Sequence, residues 1–396
     1  MVPEGWVAGQ VSDICRLQNG RGFKPEDWGA EGLPIIRIQN LNGSKNFNYY
    51  SGKPEEKWLV EPGQMLFAWA GTKGVSFGPT VWRGETGVLN QHIFKVFQQD
   101  GVDHDWLYLA LRHVTDRVEG KAHGFKATLV HVKKSDIERQ PVAIPPLPEQ
   151  KKIAEILSTW DRAIETAEAL LANARTQKRA LMQTLLTGKR RFPQFEGQDW
   201  REVRFEEVFG RVRRKNTVGN ENTLTISGQD GLVSQQEYFN KRVAAADLSG
   251  YTLLVGGDFA YNKSYSAGYP MGAIKMLPDG QSGVVSSLYL CFALGDPDAH
   301  CKEFFRHFFE AGCFNHEIYK IAQEGARNHG LLNVSVTDFF RAKIRIPSRE
   351  EQRRIADAIN LAEREEARDL AVLEKLRTEK KALMQQLLTG KKRVRL

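Results

Sequence analysis

An internal repeat constrains the fold of this chain more than any other feature. Residues 178–189 read KRALMQTLLTGK and residues 380–391 read KKALMQQLLTGK, so the two copies are offset by 202 positions. The same offset aligns residues 149–154 with residues 351–356, and about forty residues therefore repeat without a gap. Such a repeat predicts a chain in which two copies of one element alternate with two variable segments. The predicted boundaries are 1–148, 149–191, 192–348 and 349–396.

Each copy of the repeat predicts one long helix. Pro145, Pro146 and Pro148 cannot lie inside a helix and therefore mark its start, while Gly188 and Gly390 mark the two C-terminal ends. At a rise of about 1.5 Å per residue, a helix of about 38 residues would span about 57 Å. A helix of that length could set the distance between two globular bodies.

Apolar residues recur along both helices with the spacing of a heptad. In the first copy they form two rows, one of Leu157, Ile164, Leu171 and Leu185, with Lys178 at the fourth of its five positions, and the other of Trp160, Ala167, Ala174 and Leu181. In the second copy the rows hold Ile359, Leu373, Leu387, Leu376 and Leu383, with Glu366 and Asp369 as interruptions. This pattern is typical of a coiled coil. Two unrelated amphipathic helices on separate cores are the alternative, but helices of equal length favour mutual packing.

The variable segments predict compact α+β domains. Short strand candidates, separated by Gly, Asn and Pro, occur at 33–38, 65–69, 92–97, 224–226 and 288–292. A helix follows in each segment, near 104–118 and near 298–322. The predicted fold class is therefore α+β, with two globular domains separated by two long helices.

The sequence carries few motifs of catalytic centres. It has no phosphate-binding G-x-x-x-x-G-K-[ST] loop, no G-x-G-x-x-G after a strand, no H-E-x-x-H and no paired C-x-x-C. Its nine histidines follow no ligand spacing. It also lacks the Asn-Pro-Pro-aromatic run that holds an adenine amino group in amino-methyltransferases. Together these features favour a binding protein over an enzyme.

The composition is compatible with DNA binding but does not require it. A net charge of +8 suits nucleic acid, an anionic membrane surface or an acidic protein partner. No apolar stretch approaches the roughly 18 residues of a membrane span, and the N-terminus lacks the features of a signal peptide. We therefore expect a cytoplasmic protein without a membrane partner, and free thiols at Cys15, Cys291, Cys301 and Cys313.

Polar, basic and aromatic residues of the variable segments are the candidates for DNA contacts. Arg, Lys, Asn and Gln read base edges, while basic and hydroxyl groups hold phosphates. The candidates of the first segment are Arg37, Gln39, Asn40, Lys45, Asn46, Tyr49, Lys73, Asn90, Gln91, Lys121, His123 and Lys126. Those of the second segment are Arg213, Arg214, Lys215, Ser227, Gln229, Gln235, Tyr238, Asn262, Lys263, Ser264, Tyr265, Arg327, Asn328 and His329. Basic clusters at 121–134 and 211–215 stand out from an ordinary solvated surface.

The chain resembles the DNA-specificity subunits of type I restriction–modification enzymes. The resemblance rests on residues 144–154 (IPPLPEQKKIA), on residues 346–356 (IPSREEQRRIA) and on both copies of LMQxLLTGK. Residues 257–264 (GDFAYNKS), followed by 325–327 (GAR), are also typical of these subunits. The resemblance covers essentially the whole chain. The first half nevertheless has Gly63-Gln64 in place of Gly257-Asp258 and lacks the Tyr-Asn-Lys-Ser run, so the two halves are expected to read different sequences.

The resemblance implies a fold, a set of partners and a division of labour. In such families each variable segment is a target-recognition domain, and the two helices pair as an antiparallel coiled coil with pseudo-two-fold symmetry. The two domains read the parts of a bipartite, asymmetric site in double-stranded DNA, and the subunit itself is non-catalytic and binds no cofactor or metal. It recruits two methyltransferase subunits, which bind S-adenosylmethionine and methylate adenine N6. Two restriction subunits, driven by ATP and Mg²⁺, can join the complex.

Two other classes of function remain open from the sequence. A coiled-coil assembly scaffold could carry variable domains that bind proteins instead of DNA. A nuclease or methyltransferase is the third class, and the missing motifs count against it. Binding to random-sequence DNA would separate the first two classes, because only a specificity subunit should select one two-part motif.

Overall fold

The chain forms two compact units, each built from one variable segment and parts of both long helices. A computed structural model describes residues 2–121, 129–239, 247–266, 268–323 and 332–396. Unit 1 comprises Met1–Glu168 and Ala371–Leu396, and unit 2 comprises Ala169–Leu370. Both units therefore draw on two separate stretches of helix, and the division falls inside the helices, not at their ends.

Unit 1 contains twelve short strands among the residues described there. The strands are β1 Val7–Gln10, β2 Cys15–Asn19, β3 Leu33–Ile36, β4 Tyr49–Tyr50, β5 Leu59–Val60, β6 Met65–Ala68, β7 Ala70–Thr72, β8 Gly78–Val81, β9 Gly87–Leu89, β10 Ile93–Gln98, β11 Leu129–His131 and β12 Pro141–Ile144. The helices are α1 Val11–Ile14, α2 Ile38–Leu41, α3 His104–Lys121, α4 Lys134–Glu138 and the first part of α5, which runs over Leu147–Leu185. Single turns of 3₁₀ helix lie at Pro25–Asp27 and Glu56–Trp58.

Unit 2 repeats this arrangement with different sequences. Its strands are β13 Arg201–Arg204, β14 Phe209–Arg211, β15 Leu224–Ser227, β16 Gly231–Ser234, β17 Thr252–Val255, β18 Phe259–Asn262, β19 Ala273–Met276, β20 Ser282–Val285, β21 Leu290–Leu294, β22 Ala322–Gln323, β23 Asn333–Val334 and β24 Lys343–Ile346. Its helices are α6 Phe205–Val208, α7 Gln235–Phe239, α8 Lys302–Glu310, α9 Asn315–Ile321, α10 Val336–Arg341 and the first part of α11, which runs over Arg349–Leu388. A 3₁₀ turn at Pro193–Phe195 follows the end of α5.

The two units share one sheet topology. The central sheet has the strand order β2-β10-β6-β8 in unit 1 and β14-β21-β18-β19 in unit 2, and neighbouring strands are antiparallel. A second sheet has the order β4-β3-β9-β5 in unit 1. In unit 2 the hairpin β15–β16 reaches the pair β17–β20 through a parallel bridge between Thr223 and Val284. Strand β6 is therefore the counterpart of β18, and β10 is the counterpart of β21.

Each unit has its own hydrophobic core between the central sheet and helices. In unit 1 Trp106 of α3, Phe67 and Phe94 are buried together with Leu157 of α5 and Leu387 of α11. The core of unit 2 is rich in phenylalanine, and the rings of Phe205, Phe209, Phe259, Phe292, Phe309 and Phe339 pack edge-on or stacked against one another. Burial of these aromatic rings contributes to the apolar stabilisation of the second variable segment.

The two long helices pack as an antiparallel coiled coil within each unit. In unit 1, Lys380 of α11 pairs with Asp161 of α5, and Arg377 donates to Glu168 at 2.5 Å. Residues later in α5 thus pair with residues earlier in α11, so the two helices run antiparallel. In unit 2 the carboxylate of Glu366 accepts from Arg175 at 2.9 Å and from Lys178 at 2.6 Å.

The polar positions of the heptad rows are matched across the coiled coil of unit 2. Glu366, which interrupts the apolar row of α11, accepts from Lys178, which interrupts the row of α5. The apolar members Leu157, Leu171, Ile359 and Leu373 are buried. The sequence prediction of a heptad seam is confirmed by this burial. Of the two acids that interrupt the pattern, Glu366 is paired with Lys178 and Arg175 of the facing helix, whereas Asp369 contacts the adjacent Arg368.

Repeated polar contacts hold the helix ends in both units. The Gln150 side chain accepts from the Asp103 amide at 2.7 Å and donates to the Pro145 carbonyl at 2.9 Å. Gln352, its repeat equivalent, accepts from the Cys301 amide at 2.9 Å and donates to the Pro347 carbonyl at 3.0 Å. The Gln of each Glu-Gln pair, at 149–150 and at 351–352, therefore ties the start of a long helix to the variable segment before it.

The glutamate of the same motif pairs with an arginine that follows the other repeat. Glu149 accepts from Arg393 at 2.9 Å and from the Trp6 indole at 3.1 Å. Glu351 accepts from Arg191 at 2.8 Å and 2.6 Å, in a two-pronged contact. The guanidinium of Arg393, helped by the Trp6 indole, holds the pKa of the Glu149 carboxyl below its usual range. Gly188 and Gly390 end the helices with φ near +70°, as a left-handed terminal residue requires.

Most sequence predictions of secondary structure are confirmed, with two corrections. The helix predicted near 298–322 is two helices, α8 and α9, because the chain turns at Gly312 with a φ of 71°. The strand predicted over 33–38 ends at Ile36 and passes into α2. All four cysteines are free thiols, as expected. Within the described ranges, no helix combines the length and apolarity needed to cross a membrane.

Candidate nucleic-acid interface

In unit 1, two of the predicted DNA contacts, Asn90 and Gln91, lie just before β10 and beside the end of β6. Trp69 follows β6 directly, and its amide donates to the His92 carbonyl at 3.2 Å. Its indole Nε1 donates to the Gln91 carbonyl at 3.0 Å. Asn90 is half-buried and Gln91 is exposed in the same loop. We call Trp69, Asn90, Gln91, His92 and His131 the strand-end face of unit 1.

The predicted contact Lys73 lies in the tight turn that follows β7. Ser76 Oγ accepts the Thr72 amide at 2.7 Å, and the Gly74 amide donates to Glu119 at the end of α3 at 2.8 Å. These bonds fix the turn on both sides of Lys73, whose side chain is exposed. A fixed, exposed lysine is suited to a phosphate contact.

The same turn contains a motif that the sequence analysis missed. Residues 74–78 read GVSFG and match the G-x-S-x-G pattern of nucleophilic serines. That pattern needs a strand–turn–helix setting, but here it links β7 to β8, and Ser76 is occupied by the Thr72 amide. The serine is therefore a turn-forming residue.

Six further candidates of unit 1 lie in the connection between β3 and β4, and several of them are engaged within the protein. Asn40 is buried and donates to the carbonyls of Ser44 at 3.1 Å and Asn46 at 3.0 Å, while it accepts from the Arg37 amide at 2.9 Å. Gln39 donates to the Asn46 carbonyl at 3.1 Å. These amides shape the loop, so they are less available to DNA than the sequence suggested.

Arg37 is also held inside this connection. Its guanidinium pairs with Asn48 and lies over the Trp28 ring at 5.3 Å from the centroid. Lys45 and Asn46 are exposed, and Tyr49 is half-buried. The exposed side chains at the tip of the loop are thus the ones that remain available to a ligand.

The β3–β4 connection faces a groove of about 1430 Å³ in unit 1. Asn40, Lys45 and Tyr49 line one wall. Helix residues of the coiled coil line the other wall, namely Asp161, Glu165, Arg377, Lys380, Lys381 and Met384. The structure therefore separates the candidates of unit 1 into the strand-end face, the Lys73 turn and this groove.

Unit 2 has an equivalent strand-end face with different side chains. Asn262 ends β18, and Lys263, Ser264 and Tyr265 follow it. Lys263 Nζ donates to the Val334 carbonyl at 3.0 Å, and burial together with the nearby Arg211 lowers the pKa of its ammonium group. Tyr265 is 65% exposed. We call these four residues the strand-end face of unit 2.

The basic cluster at 211–215 divides into engaged and free cations. Arg214 pairs with the buried Asp258, which also accepts the Val255 amide at 2.7 Å. Burial raises the pKa of the Asp258 carboxyl. Lys215 donates to the Gly250 carbonyl at 2.8 Å, whereas Arg213 is exposed. Asp258 of the Gly257-Asp258 pair is therefore a structural residue. In unit 1 its counterpart, Gln64, donates to the Val96 carbonyl at 2.8 Å.

The remaining candidates of unit 2 surround the hairpin β15–β16. Ser227 is buried and donates to Asp230 at 2.8 Å, so it shapes the turn. Gln229 is exposed and lines a groove of about 670 Å³ beside Lys178 of α5. Gln235 is half-buried and Tyr238 is 54% exposed on α7. The loop of this hairpin corresponds to the β3–β4 connection of unit 1.

Some predicted contacts lie outside what the structure describes. His123, Lys126, Arg327, Asn328, His329 and the side chain of Lys121 belong to this set. In the described ranges, no group of three or more His, Cys, Asp or Glu side chains is arranged to hold a metal ion.

A family model and curated relatives give the same classification. The model described as type I restriction modification DNA specificity domain matches residues 3–174. The chain is 27% identical over 173 residues to the EcoBI specificity subunit of Escherichia coli, covering 43% of this chain and 35% of the relative. It is 26% identical over 220 residues to the MjaVIII specificity subunit of Methanocaldococcus jannaschii, covering 52% and 50%. The matched regions thus span about a third and a half of these two relatives.

A third relative and solved structures extend the likeness over the chain. A putative MjaX specificity subunit of M. jannaschii is 24% identical over 426 residues, covering 100% of this chain and 95% of the relative. The specificity subunit of M. genitalium has a TM-score of 0.53 at 15% identity, covering 98% of this chain and 96% of that one. The HsdS subunit of Thermoanaerobacter tengcongensis has a TM-score of 0.51 at 16% identity, covering 98% of each.

A structure from a study of type I complex assembly has a TM-score of 0.60 at 14% identity, covering 98% of this chain and 99% of that one. These likenesses establish the fold, in which each of two α+β units has the same topology and contains an antiparallel pair of helix segments. The chain therefore belongs to the class of proteins built from a duplicated α+β module. In sequence, the chain is similar to the specificity subunits of type I restriction enzymes, and the matching family model covers residues 3–174.

Proposed function

We propose that this chain selects the DNA sequence on which a type I restriction–modification complex acts. Unit 1 reads one part of a bipartite site in double-stranded DNA and unit 2 reads the other. The chain itself makes and breaks no bond. The observation that carries the proposal is that equivalent strand ends, β6 and β18, present different side chains on a common scaffold.

The scaffold at these strand ends is held alike in both units. The Val132 amide donates to the Trp69 carbonyl at 3.1 Å, and the Leu332 amide donates to the Lys263 carbonyl at 2.9 Å. The backbone is thus fixed in the same way, while the side chain changes from the indole of Trp69 in unit 1 to the ammonium group of Lys263 in unit 2. A fixed backbone with exchanged side chains suits two modules that read two unlike half-sites, because base edges differ in donors, acceptors and methyl groups.

The repeat supports a partner that is present in two copies. Arg175, Lys178 and Met182 line the groove of unit 2, and Arg377, Lys380 and Met384 line that of unit 1. The two sets are related by the 202-residue offset, although the variable segments differ. A surface that occurs twice in one chain can bind the same partner twice. We propose that this partner is the methyltransferase subunit, which brings S-adenosylmethionine.

Restriction subunits complete the proposed complex, with two copies that bring ATP and Mg²⁺. The target adenine would be rotated out of the duplex into a methyltransferase subunit, since chemistry on a base needs access that the stacked duplex denies. The chain would act in the cytoplasm, where the DNA is.

Selection from random DNA tests the proposal directly. The chain, purified with its methyltransferase subunits, would be mixed with random duplexes, and the bound DNA would be sequenced. We expect one motif with two specified parts and an unspecified spacer. A bound pool without sequence preference would contradict the proposal and would favour the protein-binding scaffold. Methyltransferase subunits without this chain are the matched control.

A further inference from the structure

An indole and two imidazoles meet on the strand-end face of unit 1. The ring of His131 contacts the Trp69 ring edge-on with centroids 4.7 Å apart, and the ring of His92 lies 5.2 Å away at 55°. The Phe94 ring stacks beneath the indole at 5.8 Å. None of the three polar rings belongs to the DNA contacts predicted from the sequence.

The cluster is built by the fold, not by chance proximity of mobile side chains. Trp69 is fixed at its amide by the His92 carbonyl and at its indole by the Gln91 carbonyl. His131 ends β11, which pairs with β7 so that His131 faces Ala70. Three separate stretches of chain therefore converge on one indole.

Exposure distinguishes the roles of the three side chains. His131 is exposed, whereas Trp69 and His92 are half-buried. His92 Nδ1 is shielded from solvent and has no hydrogen-bond partner among the described residues. A shielded polar atom without a partner costs free energy. The contacts of the His92 ring with the indole and with the Gln91 amide at 3.4 Å must offset that cost. Of these three residues, only His131 is exposed.

We propose that His131 is a base-reading residue of unit 1, and that Trp69 and His92 position it. This inference rests on the proposed function. A neutral imidazole has one donor and one acceptor nitrogen, and both groups can meet a base edge in a DNA groove. The matching strand end of unit 2 presents Lys263 and Tyr265 instead, so the cluster contributes to one half-site only.

Replacement of the histidine tests the proposal through the selected motif. For His131→Ala, selection from random duplexes should show about tenfold weaker discrimination at one base pair of one half-site, equivalent to about 1.4 kcal/mol. The other half-site should stay unchanged. His131→Gln should give a new preference at the same base pair, because a Gln amide can pair with adenine. His104→Ala, an exposed histidine at the start of α3, is the matched control and should leave the motif unchanged.

A positioning role for Trp69 gives a separate readout. Trp69→Phe keeps an aromatic ring beside His131 but removes the Nε1 bond to the Gln91 carbonyl. We therefore expect a twofold to threefold loss of discrimination at the same base pair as in His131→Ala. An unchanged motif in a folded His131→Ala protein would overturn the inference, as would equal weakening at every base pair. Folding of each variant would be checked by circular dichroism. If the wild-type chain itself selected no motif, the proposed function would fail instead.

Discussion

Removal of the Arg191 guanidinium is expected to destabilise unit 2 strongly. Its Nε and Nη2 atoms donate to the two carboxylate oxygens of Glu351 at 2.8 Å and 2.6 Å. The Glu351 side chain is only 1% exposed, and that of Arg191 is 17% exposed. Arg191→Met would leave a carboxylate buried without its cation.

The expected loss in the free energy of unfolding is about 3 kcal/mol. This value is at the low end for breaking a buried ion pair, because water can reach the site past the partly exposed arginine. Glu351→Gln in the same chain should recover about 2 kcal/mol, since the neutral amide no longer needs a cation. A loss of about 3 kcal/mol would speed the exchange of globally protected amides by a factor of about 150.

Native-state hydrogen exchange read by mass spectrometry suits this test, because it reports the two units separately. Peptides from α8 should exchange faster in Arg191→Met, while peptides from α3 in unit 1 serve as the internal reference. Arg204→Met removes an exposed pair with Glu206 in the same unit and should cost less than about 1 kcal/mol. Equal exchange rates in Arg191→Met and Arg204→Met would refute the reasoning.

Three further predictions concern unit 1 and the long helices. Arg393 holds the pKa of Glu149 low, so the pair stabilises the fold above the carboxyl pKa of the unfolded chain. That stabilisation is lost as the pH falls through the lower pKa of the folded state. The melting temperature should therefore fall less on acidification in Arg393→Met than in wild type. Asn40→Ala should lower the free energy of unfolding by about 1–3 kcal/mol, whereas Lys45→Ala should leave stability unchanged and weaken DNA binding in a filter assay. One heptad added to each long helix should lengthen the selected spacer, since seven residues add about 10 Å of helix; an unchanged spacer would show that the helices do not set it.

The long helices and their pairing followed from the sequence because their periodicity is local. A seven-residue repeat with apolar rows is visible without any tertiary information, and Gly188 and Gly390 mark ends that need a left-handed residue. The ion pair between Arg191 and Glu351 was not predicted, since its partners lie far apart in sequence and an arginine after a helix gives no signal of its own.

The candidate interface was less accessible to sequence reasoning. Asn40, Ser227 and Arg214 have the side chains of DNA-reading residues, but the fold uses them for loop bonds or for pairing with Asp258. Trp69 and His131 escaped notice because an isolated tryptophan or histidine in a strand is ordinarily a core or surface residue. Only strand pairing brings His131 to the indole.

Methylome sequencing of the source cells, with and without this chain, tests the central claim most directly. If the chain selects the site of modification, the wild-type cells should carry methylated adenines in one bipartite, asymmetric motif, and deletion of the gene should remove methylation from that motif alone. A bipartite motif that stays methylated after the deletion, or the absence of any such motif in wild-type cells that express the complex, would contradict the account.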